Sequence, residues 1–189
     1  QFRGACQALA EDGVDGILAT LITDEVDSLA AKLANMVHLR EQDGLIRNMI
    51  AGFHVEGPFL NASPGFIGAH EPKFVRPANL EDTNRLLEAG SGLVKLFTLA
   101  PEQDEEAVVT KYLAEQGVTV SAGHCDPSID QLKTAVDSGL SMVTHFGNGC
   151  PVELPRHDNV LQRFLSLRDR LWFCFIPDGA HVEFFALKN

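Results

Sequence analysis

Residues 49–58 read MIAGFHVEGP, an apolar run interrupted by His54 and Glu56 and closed by Gly57-Pro58. A core-bound strand that ends on a carboxylate needs something there to compensate the charge, because an ionised group buried alone is costly. Similar short runs rich in Val, Ile, Leu and Phe recur at GILATLIT (16–23), LVKLFTLA (93–100), GVTVSAGH (117–124), SMVTHFGN (141–148) and LWFCFIPDG (171–179). Together with 49–57 they are read as six strands. Segments 24–39, 79–90, 101–117, 127–139 and 158–169 carry helical periodicity, with Pro101 or Pro127 near a first turn and Gly90, Gly117 or Gly139 just past an end. Strand–helix alternation of this kind makes a parallel sheet, either doubly wound or closed as a (β/α)8 TIM-type barrel.

The position of the polar residues separates the two. In a barrel the chemistry lies where each strand meets the loop that follows it, since only there do all strand ends converge. Glu56 ends the second run, His124 the fourth, His145 and Asn148 follow within the fifth, and Asp178 and His181 close the sixth. No GxGxxG or GxxxxGK[ST] loop marks a nucleotide phosphate site. The sequence therefore favours an α/β barrel, with about six of its eight βα units in this chain.

Composition bounds what such a barrel does. A chain of 189 residues that is 45% hydrophobic and 22% charged is long and apolar enough for one domain with a sizeable core. A net charge of −11 argues against a nucleic-acid or anionic membrane surface, which would need a basic patch. No apolar run approaches the roughly 20 residues of a membrane helix, and QFRGACQALAEDG lacks the hydrophobic region of a signal peptide. Cys6, Cys125, Cys150 and Cys174 are scattered without CxxC pairing, which suits reduced cytoplasmic thiols. Cys125 has no neighbour in sequence to activate it and is read as packing.

Two imidazoles and one carboxylate, with a further position left to water, form a catalytic zinc shell. Glu56, His124 and His145 supply that set. A divalent ion would compensate the buried carboxylate, lower the pKa of bound water toward about 7 and polarise a carbonyl, as amide hydrolysis requires. The alternative is that each residue is separately hydrogen-bonded in an ordinary core.

HVEGPFLN (54–61), GAHEP (68–72), VSAGHCDPS (120–128), THFGNGCP (144–151) and DGAHV (178–182) resemble, in order, the motifs of the N-acetylglucosamine-6-phosphate deacetylase family in the amidohydrolase superfamily. The resemblance implies that Glu56, His124 and His145 bind the metal, usually zinc or iron, as one or two ions. It implies that Ala69 and His70 face the acetamido group, with His70 orienting or polarising the scissile carbonyl. Asn148 and Gly149 would contact the sugar phosphate, Arg156 would supply a basic phosphate contact that often reaches a neighbouring subunit, and His181 would bind the sugar. Asp178 is read as bracing the loop that holds His181. The implied partner is a small amino-sugar phosphate bound by a cytoplasmic homodimer.

The implied reaction is deacetylation of N-acetylglucosamine 6-phosphate to glucosamine 6-phosphate and acetate. GNGCP departs from the commoner continuation of the family's fifth-strand motif at the phosphate contact itself. Another amide substrate on the same fold, or a non-catalytic sugar-phosphate binder, are the rival readings. The family's β-sandwich, its first barrel strand with a metal-binding pair and its eighth strand with a catalytic aspartate have no counterpart in the sequence. Residues 1–189 are thus expected to be the central part of the barrel, with the catalytic aspartate outside them.

Overall fold

The computed structural model describes residues 2–188. Its elements are α1 (Phe2–Glu11), β1 (Ile17–Ile22), α2 (Val26–Gln42), α3 (Gly44–Met49), β2 (Ile50–Glu56), α4 (Leu80–Ala89), β3 (Val94–Leu99), α5 (Val108–Glu115), β4 (Thr119–Ala122), α6 (Ile129–Asp137), β5 (Leu140–Val143), α7 (Val160–Ser166) and β6 (Trp172–Phe173). All neighbouring strands are parallel, and the sheet order is β1-β2-β3-β4-β5-β6. A doubly wound sheet reverses its order at a switch point. This one never does, so it is wound in one sense, as in a (β/α)8 barrel, and it supplies six of the strands.

Side chains alternate along each strand, as the pleat requires. Phe53 and Val55 of β2, Phe97 and Leu99 of β3 and Val120 of β4 are fully buried in one core with Leu29 and Leu33 of α2, Leu86 of α4, Leu113 of α5 and Leu132 of α6. Each such side chain contributes about 1.5–3 kcal/mol by leaving water. The intervening positions His54, Glu56, Thr98 and Ser121 are also buried, but polar.

Local chemistry sets the element ends. Ser128 and Gln131 form a reciprocal capping box on α6, and Asn79 and Asn159 cap α4 and α7 through their side chains. The helix expected over 101–117 is broken into two 3-10 turns and α5, because Glu106 and Ala107 take left-handed backbone angles. The Asp104 carboxylate then accepts the amides of Val109 and Thr110 at 2.9 and 2.7 Å. The run expected over 171–179 is a strand only at Trp172–Phe173. Beyond it Pro177 lacks an amide, and the Asp178 carboxylate captures the amides of Ala180 and His181 into a turn.

Candidate metal centre

A belt of hydroxyls crosses the inner face of the sheet below the strand ends. His54 bridges Thr20 on β1 (Nδ1 to Oγ1, 3.1 Å) and Thr98 on β3 (Nε2 to Oγ1, 2.7 Å). Thr98 continues to Thr144 at 2.8 Å, and Thr144 to Ser121 at 2.7 Å. Burial pushes the His54 imidazole below its ordinary pKa and favours the neutral ring. One residue pair further along β2, Glu56 projects on the same face as His54.

Above this belt three ligand-type atoms meet. His145 Nε2 lies 3.0 Å from Glu56 Oε1 and 3.0 Å from His124 Nε2, and His124 Nε2 lies 3.3 Å from the same Glu56 oxygen. Ligand atoms held roughly 2.0–2.1 Å from a tetrahedral zinc stand about 3.3–3.4 Å apart, so the triangle has the size of a coordination face. Glu56 and His124 are buried, and His145 is nearly so. Among the described residues, these are the three that could jointly hold a metal ion.

The donor chemistry fits a cation. His124 Nδ1 lies 2.7 Å from the Phe66 carbonyl oxygen and must carry a proton to bond it, which leaves Nε2 a bare lone pair. Two imidazole nitrogens facing each other beside a carboxylate then present converging lone pairs that a positive charge would satisfy. Burial alone would raise the Glu56 carboxyl, but the adjoining His124 and His145 rings outweigh it and hold it well below the usual carboxylate range. Both histidines have positive φ, 51° at His124 and 38° at His145. Left-handed angles at non-glycine residues are strained and concentrate at functional sites. Here they turn each side chain inward just past β4 and β5.

The loop after β2 delivers a fourth ring. His70 is buried, its Nε2 3.2 Å from His124 Nε2 and 3.9 Å from Glu56 Oε2. Burial and the neighbouring His124 lower its pKa to about 4, so the ring is neutral near pH 7. Gly68, at φ +58°, lets this loop press against His124, since a Cβ there would stand 2.9 Å from His124 Cε1. Ala69, beside it, is exposed.

The remaining candidates are gathered less closely. Asn148 donates from Nδ2 to the His181 carbonyl at 3.2 Å, while its Oδ1 is buried with no partner among the described residues. A Cβ on Gly149 would crowd His145 Cε1 at 2.8 Å and the His124 amide at 3.0 Å, so its smallness serves the approach of the two ligand loops. Asp178 accepts His181 Nδ1 at 2.7 Å as well as two amides, which braces the His181 loop. Arg156 is exposed, and no described hydrogen bond or ion pair uses its guanidinium. The structure thus unites Glu56, His124, His145 and His70, links Asn148 to His181, and leaves Arg156 apart. His54, Thr23, Gly68 and the Phe66 carbonyl also shape the site, and the sequence reading gave none of them a role.

A parallel, singly wound βα sheet that gathers two imidazoles and a carboxylate beyond its strand ends defines a barrel protein of the metal-site class. No protein-family model matches the chain. It is 31% identical over 182 residues to the N-acetylglucosamine-6-phosphate deacetylase of Bacillus subtilis (strain 168), covering 95% of this chain and 45% of that protein. It is 28% identical over 174 residues to the N-acetylgalactosamine-6-phosphate deacetylase of Escherichia coli O157:H7, covering 92% of this chain and 45% of that protein. The crystal structure of N-acetyl-D-glucosamine-6-phosphate deacetylase from Mycobacterium smegmatis superposes with a TM-score of 0.80 at 28% identity, covering 96% of this chain and 48% of that one. The chain resembles N-acetylglucosamine-6-phosphate deacetylases in sequence and fold, and it spans a little under half the length of these relatives.

Proposed function

We propose that this chain carries the metal-binding and carbonyl-orienting part of an enzyme that hydrolyses the acetamide of N-acetylglucosamine 6-phosphate. The observation that carries this reading is the triangle of Glu56 Oε1, His124 Nε2 and His145 Nε2, with sides of 3.0–3.3 Å. In this reading Glu56, His124 and His145 hold a divalent ion, zinc before iron, since two imidazoles and one carboxylate suit zinc. When bound, such an ion supplies Lewis acidity toward water and the acyl oxygen.

The chain's own residues do the rest. The Phe66 carbonyl holds His124 in the tautomer that frees Nε2, and the Glu56 carboxylate balances the ion's charge in a site its burial keeps dry. His70 directs its Nε2 toward the same point, where a hydrogen bond to the developing oxyanion would favour the transition state over the substrate. Asn148, Gly149, Arg156 and His181 hold the sugar and its phosphate, and Ala69 lines the acetamido side. In this reading the proton-shuttling aspartate that the family resemblance implies lies outside residues 1–189, with this chain as the central part of the barrel. The assembly is a homodimer in the cytoplasm, a location supported by four free cysteines.

The resemblance to an N-acetylgalactosamine-6-phosphate deacetylase gives a second reading in which the sugar is the C4 epimer. Acetate release from the two phosphorylated sugars, measured side by side, tests both. Turnover of the gluco substrate with a higher kcat/KM supports the first reading, preference for the galacto substrate supports the second, and release from neither overturns the deacetylase assignment.

A further inference from the structure

The segment after β4 that carries His124 is held by a side chain that lies outside the metal centre. Glu102 stands in the 3-10 turn Pro101–Gln103 that follows β3. Its Oε1 accepts two N–H groups, the Asn61 side-chain amide at 2.9 Å and the Asp126 backbone amide at 2.6 Å. Asn61 lies beyond β2 and Asp126 beyond β4, so one oxygen ties together the loops of three neighbouring strands.

Both contacts converge on His124. The Asn61 backbone amide donates to the His124 carbonyl at 2.9 Å, so Asn61 and Asp126 grip the chain on either side of Cys125. Upstream, the Gly123 amide donates to the Leu99 carbonyl of β3 at 3.2 Å. Between these fixed points His124 has φ 51°, an angle that a non-glycine residue keeps only where its surroundings over-determine it. Asn61 also opens the loop that meets the His124 ring. Its Oδ1 accepts the Ser63 amide at 2.9 Å, the Ser63 carbonyl accepts the Phe66 amide at 3.1 Å, and the Phe66 carbonyl lies 2.7 Å from His124 Nδ1. Glu102 therefore reaches the ligand by two routes, one through its backbone and one through its ring.

We propose that Glu102 is a positioning residue for the metal centre: through Asn61 and Asp126 it fixes the backbone and the loop that aim His124 Nε2 at Glu56 and His145. The clamp follows from this chain's own hydrogen bonds, whereas its service to a metal ion rests on the reading of Glu56, His124 and His145 as ligands. Glu102→Ala removes the acceptor of both bonds. Asp126 then loses its amide partner outright, and Asn61 keeps only its backbone bond to His124 and its turn to Ser63. Asp104 supplies the control. Its carboxylate also accepts two amides, those of Val109 and Thr110, but it serves the start of α5 and makes no bond to the His124 segment.

The test combines amide hydrogen exchange by NMR, on the 15N-labelled full chain, with chelator competition for zinc. Asp126 is an exposed residue, so without an acceptor its amide would exchange freely. In the wild type that exchange should be slowed at least about tenfold relative to an unstructured chain, and in Glu102→Ala it should return to the unstructured rate. Zinc should bind Glu102→Ala about tenfold more weakly, as is typical when an outer partner of a metal ligand is lost. Asp104→Ala should unfold at lower urea yet keep wild-type zinc affinity. An Asp126 amide that exchanges at the unstructured rate in the wild type overturns the proposal whether or not any variant folds. So does wild-type zinc affinity in Glu102→Ala, or an equal loss of affinity in Asp104→Ala. A protected Asp126 amide in a wild type that binds no zinc would uphold the clamp on His124 and overturn the metal reading it serves.

Discussion

Gly68→Ala is the sharpest probe of how tightly the loop after β2 supports the metal centre. At Gly68 the backbone has φ +58°, and an added Cβ would stand 2.9 Å from His124 Cε1 and 3.3 Å from His124 Nδ1. Two effects follow, and they are separable. The left-handed angle costs an alanine about 1–2 kcal/mol of stability wherever it occurs. The clash must also be relieved by a few tenths of an ångström, and the ring cannot yield freely: Nδ1 is tied to the Phe66 carbonyl at 2.7 Å, and Nε2 must stay with Glu56 and His145. Displacing such a supporting contact typically lowers metal affinity about 10- to 100-fold. Gly92 supplies the control, with φ +75° and no atom within 4 Å of an added Cβ. In urea unfolding both variants should lose about 1–2 kcal/mol, while in a chelator competition for zinc only Gly68→Ala should bind more weakly. Wild-type zinc affinity in Gly68→Ala, or an equal loss in Gly92→Ala, would refute the claim that this loop sets the position of His124.

Two further outcomes are expected. Arg156→Ala should weaken binding of N-acetylglucosamine 6-phosphate about ten- to a hundredfold, as for a lost charge-assisted hydrogen bond, and leave unphosphorylated N-acetylglucosamine unaffected; equal losses in calorimetric titrations would remove Arg156 from the phosphate site. Hydrogen bonds from the His181 amide, the His181 ring and the Ala180 amide lower the Asp178 carboxyl to about 2. A carboxylate depressed in the folded state contributes stability above its unfolded value, near 4, and loses it as pH falls through its folded value; the His181 amide resonance should therefore hold steady from pH 7 to about 4 and shift toward pH 2, and a midpoint at an ordinary aspartate pKa would show that the brace does not form.

The order of the fold was legible because each strand announces itself by an apolar run, and four of the six also by the polar residue that closes it. Glu56, His124 and His145 stand out as polar residues closing otherwise apolar stretches, and the structure gathers them with His70. What stayed hidden falls into three physical kinds. Backbone groups leave no mark on a sequence, so the Phe66 carbonyl that orients His124 and the Thr23 amide that faces His70 could not be read. Polar residues inside strands, or one step past a strand end as Thr144 is, look like ordinary strand formers, so the belt from Thr20 through His54, Thr98 and Thr144 to Ser121 left no mark in the sequence. Local capture by carboxylates overrides helical periodicity: Asp104 starts α5 late, Asp43 nucleates the short α3 through the amides of Leu45 and Ile46, and Asp178 diverts the chain after β6.

Everything proposed for this chain depends on a metal at the meeting point of Glu56, His124 and His145. Elemental analysis of the purified protein, with the same measurement on His124→Ala and His145→Ala, addresses that directly. The account predicts at least one zinc or iron per chain in the wild type and most of it lost in each variant, since two remaining ligands cannot hold the ion against solvent. Stoichiometric metal retained in both variants would contradict it.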